Sequence, residues 1–233
     1  MPIAIITGAS RGLGLALARA LAQRGWALII DARGTAELER VARELGSITE
    51  VAAIPGDVAN DGHRGALVEA AGDGIDLLVN NASVLGPSPQ PALAQYPLDE
   101  LERVYRVNVL APVALAQLAI PRLPDGGCII NVTSDAAVEP YDGWGGYGSS
   151  KAALEQVSAI LAAEQPALRV YAVDPGDMRT RMHQEAFPGE DISDRPPPED
   201  SVPGLLALIE GRLPSGRYKA KDLPAPPVEA VVA

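Results

Sequence analysis

The chain alternates short, wholly apolar runs with longer stretches in which apolar residues recur every three or four positions. Wholly apolar runs are typical of strands covered on both faces of a sheet, and the second pattern is typical of amphipathic helices. Their regular alternation predicts a parallel sheet with helices on both faces, the doubly wound α/β class. The predicted strands cover residues 3–6, 27–30, 51–54, 77–79, 128–132 and 170–173. The predicted helices cover residues 13–24, 36–45, 62–71, 98–122 and 147–164.

Two regions depart from this simple alternation. The stretch 98–122 is long and contains Pro112, which predicts either one helix kinked at the proline or two separate helices. The segment 183–201 contains five Pro or Gly residues among several charges, a composition that disfavours regular helix or strand. We expect this segment to be an ordered but mobile loop, and a candidate lid over a site.

The C-terminal part of the chain is predicted to belong to the same domain. A short helix is predicted at 202–209 and a short edge strand at 217–220. With 233 residues, 47% of them hydrophobic, the chain can build one substantial core. We therefore expect a single domain over residues 1–223, followed by a Pro- and Ala-rich tail at 224–233 that frays.

The charge balance bears on partners and compartment. The formal net charge of -11 argues against binding to nucleic acid or to an anionic membrane, because phosphate groups would be repelled. No uninterrupted apolar run approaches the roughly 20 residues of a membrane span. The lone Cys128 forms no internal disulfide, which fits a reducing compartment and predicts a cytoplasmic protein. His63 and His183 have no neighbours at metal-ligand spacing, so we expect no metal site.

A glycine-rich loop, residues 7–14 (TGASRGLG), follows the first predicted strand and opens the first predicted helix. Glycine allows tight turns and close approach of a ligand to the backbone. The free N–H groups and the positive dipole end of a helix attract an anion such as a pyrophosphate. The placement predicts a dinucleotide site, although a tight turn without a ligand would use the same residues. The candidate cofactor contacts in this loop are Gly8, Ser10, Arg11, Gly12, Leu13 and Gly14.

A second constellation lies on the predicted helix 147–164. Tyr147 and Lys151 are four positions apart, so both side chains project from one face of the helix. With the TGxxxGxG pattern at residues 7–14, the chain resembles the short-chain dehydrogenase/reductase family. The family's other landmarks follow in order over residues 3–180, namely Asn80-Asn81-Ala82, Asn108, Ser134 and Pro175-Gly176. The resemblance implies a Rossmann-type fold and an oxidoreductase that transfers a hydride between a nicotinamide cofactor and a small carbonyl or alcohol.

The catalytic roles follow partly from chemistry and partly from this resemblance. A free tyrosine has a pKa of about 10 and is a poor base at neutral pH, and a nearby ammonium favours the phenolate. We therefore expect Lys151 to lower the pKa of Tyr147, which the resemblance makes the general acid/base. The resemblance also implies that Ser134 orients the substrate oxygen, that Asn108 holds a water of a proton relay, and that Lys151 contacts the nicotinamide ribose.

The choice of cofactor depends on the end of the second predicted strand, Asp31-Ala32-Arg33. In dinucleotide-binding folds an acid at this end binds the ribose 2′-OH of NAD, whereas an arginine accommodates the 2′-phosphate of NADP. The resemblance assigns the acidic position to Ala32, and Arg33 and Arg11 could together hold a phosphate. We therefore favour NADP(H) over NAD(H). Asp31 would face the other way, in a hydrogen bond at the sheet end or a pair with an arginine.

Further cofactor contacts are implied by the resemblance alone. Asp57 and Val58 correspond to residues that contact the adenine, although Asp57 could equally be a helix cap. Ser83 replaces the glycine that is usual after Asn81-Ala82, which adds a side chain near the cofactor. The remaining implied contacts are Asn81, Ala82, Tyr147, Lys151, Pro175, Gly176, Met178 and Thr180.

The substrate is not identified by the sequence. Trp144 either walls the substrate pocket or packs under its own loop. An epimerase or dehydratase on the same scaffold, or a dinucleotide-binding regulator without turnover, are the alternatives. The resemblance also implies a homodimer or homotetramer. The candidate substrate contacts are Ser134, Asp135, Tyr141, Trp144 and Tyr147.

Overall fold

The computed structural model describes residues 1–72 and 74–224, so all but the first residue of the predicted tail (224–233) lies outside it. Within these residues, seven parallel strands form one sheet in the order β3-β2-β1-β4-β5-β6-β7. This confirms the doubly wound parallel sheet of a Rossmann-type fold. The strands are β1 (Ile3–Ile6), β2 (Ala27–Ala32), β3 (Val51–Pro55), β4 (Leu77–Asn80), β5 (Cys128–Val132), β6 (Arg169–Asp174) and β7 (Gly216–Lys219).

Helices pack on both faces of the sheet and bury two separate layers of side chains. Because successive residues of a strand point to opposite faces, Ile6 belongs to one layer and its neighbour Ile5 to the other. The first layer packs against α1, α2 and α8, and the second against α3, α5 and α6. The helices are α1 (Gly12–Ala22), α2 (Thr35–Leu45), α3 (Asp61–Ala70), α4 (Leu98–Tyr105), α5 (Ala111–Ala119), α6 (Gly145–Glu164), α7 (Arg181–Ala186) and α8 (Val202–Glu210).

The stretch Leu98–Arg122 is one continuous helix with a π-helical segment, Arg106–Leu110, between α4 and α5. The Ala111 amide donates to the carbonyl of Arg106, five residues back. Pro112 follows this segment and has no N–H to continue the α-helical bonding. By length and composition this helix could cross a membrane, which the sequence did not predict, but half of its most apolar window is buried inside the fold.

The proline-rich segment 183–201 contains more regular structure than its composition predicts. Helix α7 reaches into it as far as Ala186, because the Thr180 hydroxyl caps the amide of His183 and no proline intervenes before residue 188. A single 3-10 turn, Pro198–Ser201, ends the segment. The expectation of no helix here was therefore wrong for residues 183–186. Helix α6 also begins two residues earlier than predicted, at Gly145.

The order of the strands indicates where on the sheet a ligand would bind. The chain runs outward from β1 to β3 on one side and then from β4 to β7 on the other, so the direction reverses between β1 and β4. In open α/β sheets, ligands bind outside the carboxyl ends of the strands at this reversal. The glycine-rich loop follows β1 and Asn81 follows β4, so both lie at this reversal.

Candidate active site

A cavity of about 820 Å³ opens at the carboxyl ends of the strands. One side of the cavity is formed by the glycine-rich loop and the ends of β2 and β3. The rest is formed by the loop after β4, the residues after β5, the side chains of Tyr147 and Lys151, and the segment after β6. The fold thus brings these seven separate stretches of sequence to a single cavity. A cavity of this size is within the usual range for cofactor and small-molecule sites.

The glycine-rich loop forms a tight cradle above the sheet. Gly8 has φ +66°, a conformation that side chains rarely adopt, and a Cβ there would lie 3.0 Å from the Cα of Ala82. A Cβ on Gly14 would lie 2.5 Å from the carbonyl oxygen of Gly8. Helix α1 begins here without a side-chain cap, which leaves its first N–H groups open to an anion. Ser10, Arg11, Gly12 and Leu13 also line the cavity, so the cradle suits a pyrophosphate.

The end of the cavity beside β2 and β3, where the sequence predicts the adenosine part of the cofactor and which we call the adenosine end, contains the two arginines predicted for it. Arg11 and Arg33 line the cavity, are exposed, and form no ion pair within residues 1–72 and 74–224. The carboxylate of Asp31 accepts the N–H of Gly8 at 2.6 Å, the hydrogen bond at the sheet end that the sequence predicts. Its other partner is His63 at 3.0 Å, and not an arginine.

Asp57 and Val58 line the same end of the cavity. The Asp57 carboxylate accepts the N–H of Ala59 at 2.9 Å, which forms an Asx turn. Asn60, and not Asp57, caps helix α3 by accepting the N–H of His63. The alternative role of Asp57 as a helix cap is therefore wrong, and its position leaves it available to a ligand.

Asn81 and Ala82 join the end of β4 to the glycine-rich loop. The Asn81 side-chain amide donates to the carbonyls of Thr7 at 2.8 Å and Gly8 at 3.2 Å. The Thr7 hydroxyl oxygen in turn accepts the N–H of Ala82 at 2.9 Å. These bonds fix the loop against the neighbouring strand. The Ser83 side chain donates to Asn108 Oδ1 at 3.0 Å.

Ser134, Tyr147 and Lys151 all line the cavity. Ser134 follows β5, whereas Tyr147 and Lys151 lie one turn apart on α6, 8% and 2% exposed. Lys151 Nζ donates to the carbonyl of Val132 at 2.8 Å and lies 5.4 Å from the centre of the Tyr147 ring. The fold therefore brings together three of the four side chains that the sequence predicts to be catalytic.

The pKa values of this pair differ from the sequence-based expectation. Burial raises the pKa of Tyr147, the Ser134 hydroxyl lowers it, and the Asp135 and Asp174 carboxylates raise it again. Burial lowers the pKa of Lys151 to about 7. Both groups are desolvated, which disfavours the phenolate and the ammonium alike. The expected net lowering of the Tyr147 pKa by Lys151 is thus not present in this structure, and Tyr147 is a neutral phenol at neutral pH.

Asn108 lies in the π-helical segment and is fully buried. Its side chain accepts from Ser83 and from the N–H of Val84, and donates to the carbonyl of Val84 and to the Ser150 hydroxyl. Ser150 in turn donates to the carbonyl of Tyr147 at 2.6 Å. The Asn108 side chain is therefore linked to helix α6 through Ser150, and does not contact the Lys151 or Tyr147 side chains directly.

The loop after Ser134 is organised by Asp135. One carboxylate oxygen accepts the Ser134 hydroxyl at 2.9 Å and the N–H of Ala136 at 2.8 Å. The other accepts the Tyr141 hydroxyl at 2.9 Å. Tyr141 is exposed and does not line the cavity, whereas Asp135 and Trp144 do.

The end of the cavity beside Tyr147, where the sequence predicts the substrate and which we call the substrate end, has one apolar wall. Trp144 packs edge-on to Tyr147, with ring centroids 5.8 Å apart, and also contacts Phe187. The residues that the sequence did not single out here are Leu85, Met182 and Ala186, which line the cavity beside them. Met182 and Ala186 come from α7, whose formation could only have been inferred from the cap at Thr180.

The segment after β6 forms a further part of the cavity wall. Gly176 has φ +78°, and its N–H donates to Asp174 at 2.9 Å. Pro175, Met178 and Thr180 also line the cavity. The Thr180 methyl group is the nearest neighbour of a Cβ placed on Gly12, at 3.6 Å, so this segment approaches the glycine-rich loop.

The fold and this site define an α/β protein of the dinucleotide-binding type with a Ser–Tyr–Lys centre. Residues 2–191 match the family model described as short chain dehydrogenase. The chain belongs to this family of oxidoreductases.

Several known proteins are similar to the chain over most of its length. Benzil reductase ((S)-benzoin forming) of Saccharomyces cerevisiae is 33% identical, covering 99% of this chain and 88% of that protein. A short chain dehydrogenase of Shigella flexneri complexed with NADP superposes with a TM-score of 0.85 at 28% identity, covering 94% of this chain and 97% of that one. A short chain dehydrogenase of Escherichia coli complexed with NADPH gives a TM-score of 0.83 at 28% identity, covering 94% and 96%.

Proposed function

We propose that the protein is an NADP(H)-dependent oxidoreductase that interconverts a small carbonyl compound and its alcohol, with Tyr147 as the general acid/base. The observation that carries this proposal is the placement of Ser134, Tyr147 and Lys151 in the same cavity as the glycine-rich loop. The bound cofactor would supply or accept the hydride at its nicotinamide ring. The protein would supply positioning, the proton and the electrostatic environment.

The residues present suit a dinucleotide. The open N–H groups at the start of α1 would hold the pyrophosphate, and Gly8 and Gly14 let the loop pack closely against Ala82 and against its own backbone. Asp57 and Val58 would contact the adenine. Pro175, Gly176, Met178 and Thr180 also line the cavity and would hold the nicotinamide.

The protonation state of the centre favours carbonyl reduction. Tyr147 is a neutral phenol because burial and the nearby carboxylates raise its pKa, so it holds the proton that a reduced carbonyl oxygen requires. Ser134 lies beside it and would hydrogen-bond the same oxygen. Lys151, held by the carbonyl of Val132, would contact the nicotinamide ribose.

Preference for NADP(H) over NAD(H) is supported by the two free arginines. Arg33 follows β2 directly and Arg11 lies in the glycine-rich loop, and both line the cavity. A guanidinium can bind a phosphate through two parallel hydrogen bonds. Two similar solved structures carry NADP or NADPH. The ribose position, Ala32, offers no carboxylate to a 2′-hydroxyl.

The substrate end of the cavity favours a carbonyl with an apolar or aromatic substituent. Leu85, Trp144, Met182 and Ala186 form the wall next to Tyr147. The name of the yeast relative gives benzil as a substrate, and benzil is a diketone between two aromatic rings. Benzil is therefore the first compound to test.

The experiment is a titration of the protein with NADPH and NADH, followed by loss of nicotinamide absorbance with benzil and a panel of ketones and aldehydes. We expect tighter binding of NADPH and turnover of at least one aromatic ketone. Failure to bind either cofactor would refute the proposal. Tight binding without turnover of any compound would favour the dinucleotide-binding regulator.

A further inference from the structure

The adenosine end of the cavity contains a buried pair that joins two distant parts of the sequence. His63 Nε2 lies 3.0 Å from Asp31 Oδ2, and the two side chains are 7% and 2% exposed. The other carboxylate oxygen of Asp31 accepts the N–H of Gly8 at 2.6 Å. Asp31 therefore lies directly under the glycine-rich loop and two residues before Arg33.

Taken alone, the charged side chains that line this end of the cavity would repel an added phosphate. Arg11 and Arg33 lie there with three carboxylates, Asp31, Glu37 and Asp57. Two positive charges against three negative charges leave an excess of one negative charge. Asp31 is the most buried of the three, at 1% exposure, so solvent and salt screen its charge least.

The protein positions His63 specifically for this carboxylate. The N–H of His63 is held by the cap residue Asn60 at 3.1 Å, which fixes the start of helix α3. Gly56 leaves the space that the imidazole ring occupies, since a Cβ there would lie 2.3 Å from His63 Nδ1. The ring is thus seated between β3 and the end of β2, with one nitrogen directed at Asp31.

We propose that His63 is a cofactor-specificity residue: it compensates the carboxylate of Asp31, so that Arg11 and Arg33 can attract the 2′-phosphate of NADP(H). This inference rests on the preference for NADP(H) in the proposed function. It concerns the phosphorylated cofactor only, because NADH has no charged group at that ribose. Loss of His63 removes the ring nitrogen that lies 3.0 Å from Asp31 Oδ2, so the buried carboxylate acts on a bound phosphate without that partner.

The test compares four proteins, the wild type, His63→Ala, Asp31→Asn and the double variant Asp31→Asn/His63→Ala. Dissociation constants for NADPH and NADH are measured by calorimetry without substrate. We expect His63→Ala to weaken NADPH on the order of tenfold and NADH less than about twofold, because the uncompensated charge acts through a partly desolvated cavity. The double variant should recover NADPH affinity, and Asp31→Asn alone should retain it.

A matched control and a second substitution make the outcome unambiguous. Asp61 lies on the same helix, with its side chain 95% exposed and outside the cavity, so Asp61→Asn should leave the ratio of the two dissociation constants unchanged. If His63→Ala does not fold, His63→Leu, which fills much of the space of the ring without a hydrogen-bonding group, replaces it and should still weaken NADPH selectively.

Equal weakening of NADPH and NADH without recovery in the double variant would assign the pair a structural role and overturn the inference. An unchanged ratio in His63→Ala would also overturn it. A wild type without preference for NADPH would instead refute the cofactor assignment of the proposed function. These results are distinguishable because the wild-type ratio is measured independently of the variants.

Discussion

Lys151 Nζ lies 5.4 Å from the centre of the Tyr147 ring and is buried with it, 2% and 8% exposed. Because burial disfavours both charged forms, the pKa of Lys151 falls to about 7 while that of Tyr147 rises. The pair is thus a neutral amine beside a neutral phenol near the upper end of the physiological pH range. This relationship has consequences for both stability and catalysis.

The first prediction concerns stability against pH. Between the folded pKa of about 7 and the ordinary value of 10.5, the unfolded chain binds a proton at Lys151 that the folded chain lacks. The free energy of unfolding should therefore rise with pH in this window, by at most about 1.4 kcal/mol per pH unit. Below about pH 7 the amine is protonated in both the folded and the unfolded chain, so the free energy of unfolding is lowered by the whole cost of burying the ammonium.

Lys151→Met should remove this rise, because its side chain does not titrate. Urea unfolding of both proteins between about pH 7 and pH 9 measures how the free energy of unfolding changes with pH in each. This range lies below the pH at which Tyr147 titrates in the unfolded chain. Equal slopes for the two proteins would show that the amine keeps its proton in the folded state.

The second prediction concerns Asp135. Asparagine at this position can accept the Ser134 hydroxyl and the N–H of Ala136, and its NH₂ group can donate to the Tyr141 oxygen. Asp135→Asn thus preserves the geometry and removes the charge that raises the pKa of Tyr147. The pH profile of alcohol oxidation should shift to lower pH, because the phenolate forms more easily.

Two further variants separate charge from geometry at this site. Tyr141→Phe keeps the carboxylate and should leave the pH profile in place. Asp135→Ala removes the partner of the Ser134 hydroxyl and should lower kcat by about tenfold or more. A profile that shifts equally in Tyr141→Phe and Asp135→Asn would mean that loop order, and not charge, controls Tyr147.

The third prediction concerns the phosphate subsite. Arg33→Ala should weaken NADPH by roughly tenfold, since a hydrogen bond to a charged group contributes about 1.5 kcal/mol or more. NADH should change by less than about twofold. Arg40→Ala is the matched control, because Arg40 lies further along α2, is exposed and pairs with Glu44 outside the cavity. A loss of NADH affinity as large as that of NADPH would contradict the assignment of Arg33 to the phosphate.

The fourth prediction concerns the glycine-rich loop. A Cβ on Gly14 would lie 2.5 Å from the Gly8 carbonyl oxygen, so Gly14→Ala must displace backbone and should destabilise the fold by about 1–3 kcal/mol. Gly65 lies in α3 with nothing within 4 Å of such a Cβ. Gly65→Ala should therefore stabilise the protein by about 0.5–1 kcal/mol. Denaturant unfolding of both variants measures the contrast, and similar stabilities would show that the loop at Gly14 yields without cost.

The sheet could be predicted from the sequence because its strands are apolar throughout and buried on both faces. Ile5 and Ile6 point to opposite faces of the sheet and both are fully buried, which an alternating pattern would not require. The Ser134, Tyr147 and Lys151 group could be predicted because residue type and order along the chain suffice to mark it. Edge strand β7 and helix α8 were also found within one residue of their predicted bounds.

Other features depend on the three-dimensional arrangement. The partner of Asp31 is His63, 32 residues away, which becomes visible only when α3 packs beside the end of β2. Helix α7 is six residues long and depends on one cap at Thr180, a signal too local for periodicity to show. The pKa of Tyr147 depends on burial, so spacing to Lys151 alone predicted the wrong direction.

The most direct test of the central claim is the Tyr147→Phe variant, assayed for NADPH binding and for carbonyl reduction side by side. Phenylalanine keeps the ring that packs against Trp144 and removes only the hydroxyl. The proposed role of Tyr147 predicts unchanged NADPH affinity and a loss of turnover of about 10²–10⁴-fold, the usual contribution of a positioned general acid. Turnover within a few-fold of the wild type would contradict the assignment of the proton transfer to Tyr147.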